Sequence, residues 1–287
     1  MARPGGVVVA LLALTASATA QRTPPDADLT ARLAQIGERV REYYSRAQSI
    51  ICRETVHLQP LGADMMPSGF PRRLVYELRI SWEPAAEGGV PKASVHRELL
   101  TIGGRPPRPG QEPGCTDPRA VSPEPLAMFL PERRHEFAFA WAGTSRVNNR
   151  PTVTLSYRPA TAAPPAVTWQ DDCVSVDLPG MTRGRAWADA ETGEILRLDE
   201  SLTRTFEFPV PRELQRRNGA PPTLAVERAD TSIRYRPVTF SDPDETVVLP
   251  ASVESLTVFR RTGQPRLRTT QVFTEYRRFL TEGRIVD

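Results

Sequence analysis

Leu74-Val75-Tyr76-Glu77-Leu78-Arg79-Ile80-Ser81-Trp82 places large apolar side chains at every second position, with Glu77, Arg79 and Ser81 between them. A period of two over that length is the pattern of a β-strand with one face buried. Phe137, Phe139 and Trp141 repeat it, followed by a turn near Gly143 to Ser145 and a partner strand carrying Val153, Leu155 and Tyr157. Further strands are predicted at 173–178, 184–188, 194–202, 232–235, 247–260 and 266–279, so that about ten fit the chain, most of them joined by short turns.

Two segments break the strand period. Leu29, Leu33, Ile36, Val40, Tyr43 and Tyr44 recur at three- and four-residue intervals with Arg32, Glu38, Arg39, Arg41 and Glu42 between them. This predicts an amphipathic helix of about 18 residues with Asp28 as its N-cap. Residues 122–130 predict a short second helix, with Ser122 as N-cap and Pro123 at the first helical position. Proline-rich stretches at 103–113, 159–165 and 209–222 read as loops that interrupt a single meander, because proline cannot serve inside a paired ladder.

Arg3, the apolar run from Val7 to Leu14 and the small residues Thr15 to Ala20 have the three-part layout of a secretion signal, with cleavage expected after Ala20. The run is shorter than the roughly 18 residues that a spanning helix requires, and no second long apolar run follows it, so no membrane span is expected after cleavage. The first cysteine is Cys52, so a lipidated N-terminus is not expected either. The expected organisation is a signal peptide at 1–20, a linker at 21–27 and one domain over 28–287, in a periplasmic or secreted protein.

Of the 37 basic residues only Lys92 is lysine; without Arg3, 36 stand against 34 acidic residues. Arginine is interleaved with Asp and Glu rather than gathered on one stretch, which argues against a nucleic-acid partner. Export exposes Cys52, Cys115 and Cys173 to an oxidising compartment, where one disulfide and one free thiol are expected. Loop length does not choose among the pairings, since each doubling changes closure entropy by only about 0.6 kcal/mol. Local context favours Cys115 with Cys173, both of which follow polar turn-like segments, while Cys52 lies in the apolar run Ser49-Ile50-Ile51-Cys52. Such a bridge contributes roughly 4 kcal/mol in the chain-entropy account.

Catalytic signatures are missing. There is no Gly-x-Ser-x-Gly elbow, no phosphate loop and no His-Glu-x-x-His pair. Neither the cysteines nor His57, His96 and His135 have zinc-ligand spacing, and no cofactor or metal is expected. Asp171-Asp172 and Asp242 with Asp244 sit in turn-forming sequence and read as solvated loop carboxylates. Asp189-Ala190-Glu191-Thr192-Gly193-Glu194 has a passing likeness to a calcium loop, but Ile195 to Leu198 reads as a strand. A hairpin turn in which Gly193 supplies a positive φ is the better reading.

Gly184-Arg185-Ala186-Trp187-Ala188-Asp189-Ala190-Glu191-Thr192-Gly193-Glu194-Ile195-Leu196-Arg197 resembles the G-R-x-W-x-D-x-x-T-G-x-x-L-R hairpin of a family of secreted acidobacterial proteins. The segments at 49–54, 73–80 and 273–279 match the same layout. The hairpin is also similar to one in open-barrel proteins of the LolA, LolB and RseB type, periplasmic carriers or sensors of lipid or lipoprotein. The resemblance implies a mainly β (α+β) fold: a curved antiparallel sheet forming an open half-barrel, with the N-terminal helix and the short second helix on its concave face.

The aromatic strand faces are core by default, and a large curved sheet with only two helices can also leave them lining a pocket. Tyr76, Trp82, Phe129, Phe137, Phe139, Trp141 and Trp187 are the candidates for such an apolar cavity. Two functions follow. The first is a non-catalytic exported binding protein that holds a lipid, an acyl chain or a lipoprotein segment. The second is a cell-envelope structural or interaction module with a packed interior and a protein partner. A continuous apolar cavity on the order of 300 Å³ or more would favour the first.

Overall fold

In the computed structural model the described residues are 25–47, 49–83, 92–111, 124–161, 163–170, 173–241, 244–260 and 266–278. The predicted signal peptide and most of the predicted linker lie outside them. Helix α1 (Pro25–Arg46) is followed by β1 (Ile50–Leu61), β2 (Arg72–Glu83) and β3 (Lys92–Ile102). Two 3-10 segments, Glu124–Phe129 and Arg134–Glu136, precede β4 (Phe137–Val147) and β5 (Arg150–Pro159). Then come β6 (Ala166–Gln170), β7 (Cys173–Asp177), β8 (Thr182–Asp189), β9 (Ile195–Leu202) and β10 (Phe206–Pro209). Helix α2 (Arg212–Asn218) leads into β11 (Thr223–Ser241), β12 (Asp244–Arg260) and β13 (Arg266–Arg278).

Eleven strands form one antiparallel sheet in the order β3-β2-β1-β13-β12-β11-β9-β8-β5-β4, with β10 beside β11, while β6 and β7 make a separate hairpin. The sheet is curved and open, as expected, and is not closed into a barrel. The chain enters in the middle at β1 and runs outward to one edge at β3. It then crosses to the far edge at β4 and works back to β13, which pairs with β1. The expected single meander is therefore cut in two by the β3–β4 crossing. That crossing carries the 3-10 segment Glu124–Phe129 beneath α1.

One row of side chains explains the core. Leu155, Ala186, Leu198, Ile233, Val253, Gln271 and Val56 face one another across β5, β8, β9, β11, β12, β13 and β1. Cross-strand partners share a face, so this row defines the helix-covered face of the sheet. On α1, Leu33, Ile36, Val40 and Tyr44 form the apolar stripe that packs on it, together with Leu126, Met128, Phe129 and Leu130. A second, smaller core gathers Phe208, Val210, Leu214, Leu224 and Val226 with the apolar side chains of β6 and β7.

Three local expectations change. Helix α1 begins at Pro25, so Asp28 lies inside its first turn rather than at the cap; proline is well suited to a helix start because its missing N–H has no partner there anyway. The second helix is a 3-10 segment, and its expected cap, Ser122-Pro123, lies outside the described residues. The 209–222 stretch is not only loop. It holds α2, with Pro211 at the N-cap and Gly219 at φ 62° closing it, so that its prolines flank the helix instead of interrupting it.

Candidate binding surfaces

The hairpin singled out in the sequence is the point where α1 is fixed to the sheet. Arg32, Gln35 and Arg39, on one side of α1, donate to the carbonyls of Ala190 (2.8 Å), Glu191 (2.7 Å) and Thr192 (3.0 Å) in the β8–β9 turn. Gly193 has φ 78°, and a Cβ there would stand 3.1 Å from Gln35 Cγ. Asp189 Oδ1 accepts from the N–H groups of Glu191 (3.0 Å) and Thr192 (2.8 Å), while Arg150 bridges Asp189 Oδ2 (2.8 Å) and Glu194 (2.9 Å). Burial raises the Asp189 carboxyl, but the N–H groups of Thr192 and Glu191 and the Arg150 guanidinium outweigh it and hold it below the usual aspartate value. Two of the three carboxylates of the calcium-like turn, Asp189 and Glu194, are thus engaged by structural partners, and Glu191 is exposed. No group of three His, Cys, Asp or Glu able to hold a metal occurs among the described residues.

The seven apolar candidates do not form one cavity. Tyr76 is buried beneath the Arg97 guanidinium, 3.6 Å above its ring, and Trp82 is buried with Tyr44 edge-on at 4.7 Å. Phe129 is fully buried and joins the half-buried Phe137 and Phe139 and the ring of Tyr157 in an aromatic cluster. Trp141, on the edge strand β4, is 41% exposed. Trp187 points to the opposite face: Ala186 and Ala188 take the helix-facing positions around it, and Arg197 lies 4.7 Å over its ring. The gaps in the apolar interior are small. One of about 20 Å³ is bounded by Cys52, Trp82, Phe273 and Tyr276, and another of about 50 Å³ lies between Val40, Tyr43 and Tyr235.

Space lies instead on the open face. A depression of about 1010 Å³ crosses the strands from β4 to β13. Its floor follows two rows of outward side chains, Ser156-Arg185-Asp199-Ser232-Glu254 and Arg183-Ser201-Asp230-Leu256-Arg268, with Arg158 beside them. Asp199 is shared between Arg197 (2.6 Å) and the Ser232 hydroxyl (2.7 Å), and Asp230 pairs with Arg228. Arg158, Arg183, Arg185 and Arg268 are exposed. Such a surface can present guanidinium forks to carboxylate or phosphate oxygens. Sequence reasoning missed it, although the arginines of β8 alternate with small residues in plain view.

Two carboxylates sit at inward positions of the sheet, Glu54 deep and Glu200 half-buried. Glu54, fully buried, accepts two bonds from Arg97 (2.7 and 3.1 Å) and one from Gln271 (2.7 Å). Glu200 accepts from Tyr157 (3.4 Å), and burial lifts its carboxyl above the usual range against the pull of the Thr182 and Tyr157 hydroxyls. Cys52 is a free, buried thiol, pushed up to about 12 first by burial and then by the Glu54 charge. His57, His96 and His135 are exposed. Cys173 opens β7, and its expected partner Cys115 lies outside the described residues.

No family model matches this chain, and no curated protein matches it. Its structure is similar to a putative outer membrane lipoprotein-sorting protein domain from Vibrio parahaemolyticus, at 11% identity and TM-score 0.43 over 88% of this chain and 92% of that one. It is also similar to a LolA superfamily protein from Nitrosomonas europaea, at 10% identity and TM-score 0.38 over 89% and 97%. MucB in complex with MucA(peri) aligns at 12% identity and TM-score 0.22 over 88% and 99%.

Proposed function

We propose that this chain is a non-catalytic interaction module of the cell envelope, exported by residues 1–20, whose interior is filled and whose open sheet face receives a protein partner. The observation that carries the reading is the contrast in space. The apolar gaps between α1 and the sheet measure about 20 and 50 Å³, far below the ~300 Å³ that an acyl chain needs, while the open face offers about 1010 Å³ lined by exposed arginines interleaved with Asp199, Asp230 and Glu254. A lipid or lipoprotein segment remains the second reading, favoured by one feature: Phe137, Phe139 and Trp141 present apolar surface at the β4 edge, next to Phe129.

The two readings separate by native mass spectrometry of residues 21–287 taken from a periplasm, with solvent extraction of whatever co-purifies. A bare mass supports the interaction module, and a discrete lipid mass overturns it. Crosslinking in the same periplasm supplies the positive result, a partner captured by the wild type and lost on Arg183→Glu with Arg185→Glu. The proposed Cys115–Cys173 bridge makes the bare mass two hydrogens lighter than the reduced chain. The free, buried state of Cys52 supports that pairing.

A further inference from the structure

The two most exposed large apolar side chains among the described residues, Phe70 at 94% and Met66 at 62%, share one loop, the β1–β2 connection. A loop that costs solubility in this way has no packing reason for it, since neither side chain covers core. Yet the loop is built. Gly62 N–H donates to Met66 O (2.8 Å), Met66 N–H to Asp64 Oδ1 (3.0 Å) and Ser68 N–H to Pro60 O (2.9 Å), while Arg266 on β13 donates to Gly62 O (3.0 Å). Phe70 is therefore presented on an ordered support, which lowers the entropy lost on docking.

The surroundings are basic. Arg72 and Arg73 follow Phe70 after Pro71, and the tight turn after β3, held to Arg73 O by Gly103 N–H (2.7 Å), adds Arg105 and Arg108 at the same end of the sheet. All four arginines are exposed, and the one acid in the β1–β2 loop, Asp64, is engaged with the Met66 N–H. Both loops stand clear of the body: a Cβ added at Gly69, Gly103 or Gly104 would meet nothing within 4 Å.

We infer that this end of the sheet is a membrane-docking tip that inserts Phe70 and Met66 into the interface of an anionic phospholipid surface while the four arginines meet its headgroups. A projecting loop with two apolar side chains is too small for a stable protein interface, which buries roughly 800 Å² on each side. A bilayer needs no complementary shape and rewards shallow apolar insertion combined with positive charge. The inference is independent of the partner assigned to the open face, because it rests on the β1–β2 and post-β3 loops and on none of the residues that line the depression.

The test is co-sedimentation of the full mature chain with vesicles of phosphatidylglycerol and phosphatidylcholine in equal parts, and with phosphatidylcholine alone, at low and high salt. The tip predicts binding to the anionic vesicles that weakens with salt. Phe70→Ser should weaken it on the order of tenfold, as loss of one inserted aromatic side chain implies. Arg73→Gln and Arg105→Gln should each weaken it about fivefold. Unchanged melting temperatures, expected because these side chains are exposed, exclude misfolding as the cause. Phe70→Trp should bind and shift its emission to the blue on the vesicles. No binding by the wild type, equal binding to phosphatidylcholine alone, or a Phe70→Ser variant that binds like the wild type overturns the inference.

Discussion

Removing either partner of the buried pair between Glu54 and Arg97 should destabilise the protein strongly, and removing both should cost less than the worse single change. Glu54 is 0% exposed and its side chain points onto the helix-covered face between Cys52 and Val56; the Arg97 side chain retains 13% exposure. Breaking a buried ion pair costs about 3–5 kcal/mol because the survivor keeps its charge without its partner. The two survivors are not equal. Arg97, left alone in Glu54→Leu, can turn toward solvent and still stack on Tyr76, which places that variant near the lower figure, about 3 kcal/mol. Glu54, left alone in Arg97→Leu, keeps only the Gln271 amide and has no route to water, so about 5 kcal/mol is expected. The double Leu variant leaves no buried charge. Its main cost is the bond that the buried Gln271 amide loses to Glu54, about 1–3 kcal/mol. Urea denaturation of the four proteins, compared at a common slope, reads these differences directly. Additive losses, or an Arg97→Leu variant milder than Glu54→Leu, would refute the reasoning.

The β8–β9 hairpin gives a second expectation: Gly193→Ala should cost about 1–2 kcal/mol in chemical denaturation, since alanine at φ 78° is strained and its Cβ presses on Gln35. Gly184→Ala should cost more, about 3 kcal/mol, because its Cβ would collide with the Tyr157 ring and the Asp199 carbonyl. Glu200 has a folded pKa raised above its ordinary 4.5, so its protonated form favours the fold below that pH and the advantage is lost as pH rises through the raised value. Glu200→Gln should therefore raise the melting temperature at pH 7 and leave it nearly unchanged at pH 4. The Cys52 thiol, pushed up to about 12, should not react with a thiol reagent at pH 8 in the folded protein and should react at once in denaturant; rapid reaction in the folded state would contradict its burial.

How much of this was legible in the sequence depended on whether a segment has one polar side. β2 and β8 show their period because one face of each packs on the core, and α1 shows its stripe for the same reason, while β5 keeps Val153, Leu155 and Tyr157 at alternate positions although Thr152 and Thr154 between them are buried as well. β11 runs for 19 residues where the sequence pattern shows four, since Pro237 and a mixture of polar residues on both faces blur its period. α2 has seven residues and one buried position, Leu214, too few to show any period between prolines. The pairing of β1 with β13 joins the two ends of the domain and leaves no local trace. Trp187 counts among the cavity candidates in the sequence because tryptophan looks more like core than alanine does, and the structure puts it on the open face. Parity held the answer, since Ala186 and Ala188 carry the helix-facing positions and only small residues there leave room for α1 and its partners. Glu54 and Arg97 stand 43 residues apart and meet only through the β1–β2–β3 register.

The same geometry argues for where a partner binds. Both outer strands of an open sheet offer unpaired backbone groups, and strand addition at β3 or β4 would be the simplest way to recruit a peptide. Each edge is blunted. β4 bulges between Trp141 and Gly143, where Gly143 takes φ 112°, so its ladder is broken in the middle. β3 is irregular against β2 at Val75/Tyr76 and carries Lys92, His96 and Glu98 exposed on one face of this edge strand, charges that disfavour pairing with another chain. With α1 and the Glu124–Phe129 segment filling the covered face and both edges obstructed, the surfaces left with room are the depression on the open face and the tip at Phe70. A partner that added a strand at β4 would have to straighten that bulge. Proline at Ala142 should therefore leave binding intact, whereas charge reversal at Arg183 and Arg185 should abolish it.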